Sequence, residues 1–171
     1  MLALFETLFD IIRLRKGPDA LPHSVILLLV VTTLWLFAAL TMTMLTPELD
    51  EEDFVIATMT GIAGYACYAA IVIFAGRRER LLQTVMALLG CGALLSLMFV
   101  AGRVFLSPFL SDNIVNIVVT LILLWTVPVE GHIISRAINR HWYIGVVIAM
   151  AVFVFQLILY SAMDPAATTP T

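Results

Sequence analysis

Charge is scarce in this chain. Asp, Glu, Lys and Arg supply 12% of its 171 residues and hydrophobic residues 62%, against about 25% and 45–50% in soluble globular domains. Mean hydropathy is +1.06, more apolar surface than a soluble core absorbs. The formal net charge of -3 excludes the basic footprint of a nucleic-acid-binding protein. Cysteine is nearly absent. Cys67 and Cys91 both fall inside apolar runs, where they act as small packing residues rather than as a disulfide framework or metal site. The three histidines, His23, His132 and His141, are too scattered to suggest a metal centre. There is no HExxH, Gly-x-Ser-x-Gly, P-loop or CxxC, and no Pro-, Ser- or Gly-rich linker divides the chain. These absences point to one domain without catalysis, cofactor or metal.

What is present is five apolar runs, 24–45, 54–76, 81–102, 114–134 and 143–163. About twenty residues at 1.5 Å each cross a bilayer core. The expected fold is therefore an all-α membrane protein, a bundle of five transmembrane helices behind an N-terminal amphipathic helix over 1–16. In that helix Phe5, Leu8, Phe9 and Ile12 form one stripe and Glu6, Asp10 and Arg13 the other. Its basic residues follow the apolar ones, opposite to a secretory signal. The pattern predicts an uncleaved helix in the interface plane, with Arg13, Arg15 and Lys16 at lipid headgroups. The alternative is a helix packed on the bundle.

Gly17-Pro18 is expected to end that helix, and Ser24 to cap the next. Thr46–Asp53 holds five carboxylates in eight residues. It lacks the ligand order of a calcium loop and reads as a solvated connection. Val104–Leu110, broken by Pro108, is too short to cross and is expected at the interface. Trp142 and Tyr143 suit an aromatic belt, and 164–171 reads as a disordered tail. With the N-terminus inside, inner segments hold eight Lys/Arg and outer ones only Arg103. The positive-inside rule gives N-in, C-out.

Small residues mark the expected helix contacts. Ala57 and Gly61, then Gly64 and Cys67, lie on the second span, and Gly90 and Cys91 on the third. Small-xxx-small spacing lets backbones approach, which makes the second span's face the expected tightest contact, with the third's small face as a candidate to meet it. Trp35 should pack against another helix, and Tyr65 and Tyr68 should find hydrogen-bond partners. Asn116, Thr120, Thr126, Ser96, Gln83 and Gln156 suit inter-helix hydrogen bonds.

The fourth span carries the candidate polar site of Pro128, Glu130, His132 and Arg136. His132, Arg136 and Arg140 share a face at a spacing of four, and Glu130 points about 200° away from His132. Pro128 removes a donor and should kink the helix, which releases the Leu124 carbonyl. Such parts could form a proton or ion relay. Alternatively Glu130 pairs with an arginine and His132 reaches the interface.

Five closely spaced spans after an amphipathic segment resemble the Yip (Ypt-interacting protein) family. The local stretches that carry the resemblance are Leu14-Arg-Lys-Gly-Pro-Asp-Ala-Leu-Pro22, Leu124-Trp125, Gly131-His132-Ile133 and Arg136-Ala137. The resemblance implies a fold and, from its eukaryotic members, membrane organisers that engage prenylated small GTPases. The long cytoplasmic extension that those members often carry is not among these 171 residues, so the resemblance is not expected to extend to a GTPase role. Two functions stay open. One is a scaffold or accessory subunit acting on lipids and on a membrane-protein partner or second copy. The other is a small transporter using Glu130 and His132. Short loops suggest a bacterial inner membrane.

Overall fold

The computed structural model describes residues 2–45 and 51–163. The acidic positions 46–50 and the tail 164–171 lie outside the described residues. Six α-helices follow one another: α1 (Leu2–Ile12), α2 (Val25–Leu45), α3 (Glu51–Phe74), α4 (Leu81–Leu106), α5 (Asp112–Ala137) and α6 (Trp142–Met163). Single 3₁₀ turns lie at Pro18–Ala20 and Arg78–Arg80. The described residues contain no strand. Helices α2 to α6 are long and apolar enough to cross a membrane, so this is an all-helical chain with five candidate spans.

Helix α4 is the centre of the bundle. It packs against α1, α2, α3 and α5, while α6 closes the far side against α5 and α3. Its stretch from Met86 to Leu95 is buried almost throughout. The inner end is hereafter the end where α4 begins and α5 finishes.

Helix ends follow backbone chemistry, with two departures from expectation. The Ser24 hydroxyl accepts the Leu27 N–H at 3.3 Å as the expected cap of α2. The C-terminus of α1, however, closes three residues before Gly17. Leu14 adopts φ 60, and the Arg15 N–H returns to the Asp10 carbonyl at 2.9 Å. A left-handed leucine costs roughly 1–2 kcal/mol, and its side chain packs against the core. Val104–Leu106 continue helix α4 rather than forming a separate segment. Helix α4 runs through Arg103 to Leu106; Ser107 still has helical dihedrals and donates to the Arg103 carbonyl, and Pro108, which has no N–H, ends the ladder. At Pro128, α5 continues as one helix.

A close backbone approach also lies where none was expected, between α5 and α6. A Cβ on Gly131 would stand 2.8 Å from the Val146 Cα, and one on Gly145 would collide with the Gly131 carbonyl oxygen. Gly131 with Ser135, and Gly145 with Ala149, repeat at four residues, the spacing that brings backbones together. The small residues of α3 and α4 instead seat large side chains. Trp35 covers Gly61, Gln156 covers Gly64, Leu8 and Val31 cover Gly90, and the Tyr65 hydroxyl covers Gly92. Ala57 is exposed, Cys67 half-buried and Cys91 buried. The two small faces therefore do not meet.

Candidate functional site

The site is built where the chain folds back from α1 into the bundle. Leu8 and Ile11 are fully buried and Ile12 nearly so, which makes α1 a packed element of the bundle. The last carbonyls of a helix have no partner within it. Here side chains of α4 and α5 supply donors to α1 and the turn beyond it. The Cys91 thiol reaches the Leu8 carbonyl at 3.8 Å, the Trp125 indole N–H donates to the Ile12 carbonyl at 3.1 Å, and His132 Nε2 bonds the Lys16 carbonyl at 3.0 Å. A carbonyl only accepts, so His132 carries its proton on Nε2. The Gln83 amide donates to the Leu21 carbonyl, both groups being buried. Gly90 and Cys91 lie nine and ten residues into α4, so α1 crosses the bundle roughly 15 Å from its inner end.

Two stretches distant in sequence, 14–21 and 131–137, thus form one junction. Gly17 sits against the Cβ and Cγ of Arg136, where its own Cβ would stand 3.3 Å away. Arg80 crosses from the turn before α4 to donate to the Arg136 carbonyl at 2.9 Å. Asn139 closes α5 with φ 55, and the Arg140 N–H bonds the Ser135 carbonyl at 2.9 Å. Between these ends opens a pocket of about 460 Å³ lined by Leu14, His132, Ser135, Arg136, Asn139, Arg140, His141 and Trp142. His132, Arg136 and Arg140 all line this cavity, the first two from α5 and Arg140 from beyond its end.

Glu130 belongs to a different region. Its Oε2 accepts the Tyr68 hydroxyl at 2.7 Å, so α3 supplies its partner rather than an arginine. Glu130 and His132 are two residues apart, yet Glu130 bonds α3 and His132 bonds the turn after α1. Pro128 is half-buried one half-turn earlier. Tyr65 stacks edge-on against Trp35 at 5.6 Å, which ties α2 to α3. Gln156 donates to the Thr60 carbonyl at 3.3 Å, and the Tyr160 hydroxyl donates to Asp53 at 2.9 Å, tying α6 to α3.

The three cations after α1 have separate surroundings. Lys16 pairs with Asp10 at 2.8 Å. That hydrogen bond holds the Asp10 carboxyl below its ordinary range and raises Lys16. Arg15 is exposed. Arg13 lines an apolar crevice of about 460 Å³ with Phe9, Ile12, Leu95, Leu121 and Trp125. No group of three or more metal-ligating side chains occurs among the described residues. Ser135 donates to the His132 carbonyl at 2.9 Å rather than to an imidazole nitrogen, so the pair is not arranged for nucleophilic attack.

Sequence reasoning missed Leu8, Trp125 and Gly145 as organising residues. For Gly145 a signal was present, the small residues at 131, 135, 145 and 149. For Trp125 there was none, since a tryptophan on a span is equally suited to lipid. Compared with known proteins, the chain matches no family profile, no curated protein and no solved structure.

Proposed function

We propose that the chain is a non-catalytic integral membrane protein of five spans, N-in and C-out, that acts as a scaffold or accessory subunit through lateral contacts with lipids and membrane proteins. The observation that carries this reading is how the polar and apolar groups are distributed. The buried polar side chains tie the helices and α1 to one another. Apolar side chains such as Ile26, Leu29, Ile117, Leu121 and Ile158 stay more than half exposed along the spans. A surface of that kind meets lipid or another apolar helix. Residence in a bacterial inner membrane and a Yip-like architecture belong to the same proposal.

Native mass spectrometry of the protein released gently from its own membrane tests the reading. A stoichiometric membrane-protein partner or a defined oligomer is the expected result. A lone monomer, with no other membrane protein altered by its deletion, would refute it.

The transporter reading keeps one observation in its favour. Glu130 is a carboxylate within a span, hydrogen-bonded to Tyr68 and two residues after Pro128, and such residues mark ion pathways. Reconstituted vesicles with proton or ion flux abolished by Glu130→Gln would favour it over the scaffold. Vesicles without flux would dismiss it.

A further inference from the structure

We infer that the pocket at the inner end of α5 binds the phosphate of an anionic lipid headgroup. Arg136, Arg140 and His141 line it, and none of the lining residues is a carboxylate. Asp19 lies over Gly17, on the flank of Arg136, and is outside the lining. Helix C-termini disfavour anions, yet the carbonyls that end here already have donors. Lys16 bonds His132, Ser135 bonds the Arg140 N–H, and Arg136 bonds Arg80. Arg80 therefore serves the end of α5, and neither the Arg136 nor the Arg140 guanidinium has an ion pair among the described residues. Guanidinium groups match phosphate oxygens in geometry and charge.

The depth of the pocket selects a lipid over a free anion. Trp142 lines it and stacks edge-on with Tyr143, itself 73% exposed, at 5.5 Å. Tryptophan and tyrosine at the end of a span sit at headgroup level, so a phosphate in this pocket has acyl chains beside it.

The test uses the full chain in detergent, loaded with phosphatidylglycerol or phosphatidylcholine and read by native mass spectrometry. Phosphatidylglycerol should be retained in preference to phosphatidylcholine. Arg140→Gln should weaken its retention about fivefold, and Arg136→Gln similarly. Arg140→Lys should restore most of it. Arg78→Gln removes the same charge from an exposed position at the same end and should leave retention unchanged. Equal losses in Arg78→Gln and Arg140→Gln would replace the pocket with a diffuse charged surface and overturn the inference. So would unchanged retention in Arg140→Gln, or displacement of the lipid by an equal concentration of inorganic phosphate. Arg140 is exposed beyond the helix, and an unchanged melting temperature confirms that its variant is folded. The inference rests on the scaffold reading, and partner capture separates the two. Capture without headgroup retention sinks the pocket alone, and retention without capture sinks the scaffold alone.

Discussion

Along α5, residues 112–126 bury only Val115 and Val119, whereas residues 127–137 bury every position except Pro128, Glu130 and Arg136. The exposed half is the richer in valine, isoleucine and leucine, so apolar composition does not predict which half is buried. The neighbours of each half do. The second half is enclosed by α4, by the turn after α1, and by α6 at Gly145. The first half faces α4 on one side and leaves Ile117 and Leu121 about 60% exposed on the other. Apolar character alone therefore says that a helix belongs in a membrane and leaves open which side of it meets protein.

The largest effect should come from truncating one side chain in each half. Ile133→Ala removes a fully buried side chain and should cost about 3 kcal/mol in detergent unfolding. Leu121→Ala should stay within about 0.5 kcal/mol. Equal losses would break the contrast between the halves. A second pair sharpens it by adding atoms. Gly145→Val drives a side chain into the Gly131 carbonyl and Ser135, which should cost about 2 kcal/mol or more. Gly102→Ala meets nothing closer than 3.6 Å and should be nearly neutral.

Smaller effects concern α1. Trp125→Phe leaves the Ile12 carbonyl without its indole donor and should cost about 1 kcal/mol. Faster hydrogen exchange confined to residues 2–16 would show that loss, and uniform acceleration across α4 and α5 would contradict it. The smallest effect is the Asp10–Lys16 pair at the surface. The carboxyl of Asp10 is lowered from 3.8, so its contribution is present above that pH and is lost as pH falls through the lower folded value. The ammonium of Lys16 is raised from 10.5, so its contribution is present below that pH and is lost as pH rises through the higher folded value. Protease resistance of α1 should be flat between those limits, and Asp10→Asn should remove the decline at the acid end. An unchanged acid profile in that variant would exclude the pair.

The shared face of His132 and Arg136 was legible because helical spacing is local, whereas Arg140 reaches the same pocket from beyond the helix, after the left-handed Asn139. The partners of that face were not legible. The carbonyls of Ile12, Lys16 and Leu21 have no side-chain signature, so nothing in the residue types announces that Trp125, His132 and Gln83 will seek them. Tyr68 was expected to find a partner, but its pairing with Glu130 joins residues 62 apart. Small residues misled for a related reason. A glycine accepts either a neighbouring backbone or a large side chain, and only the opposite helix decides which. Gly131 and Gly145 received backbone, whereas Gly61, Gly64 and Gly90 received Trp35, Gln156 and Leu8.

The amino-acid sequence by itself determined the five long apolar helices, the amphipathic segment before them and the basic end of α5, because length, hydropathy and a period of 3.6 residues are written along the chain. The tertiary structure alone decided that α1 is docked by donors from α4 and α5, that the backbones of α5 and α6 meet at Gly131 and Gly145, and that the partner of Glu130 is Tyr68 on α3. Helices that are apolar nearly all round carry no polar stripe to mark their packing face. Their partners are chosen by shape and by single hydrogen bonds between distant residues, and those meet only when the chain is folded.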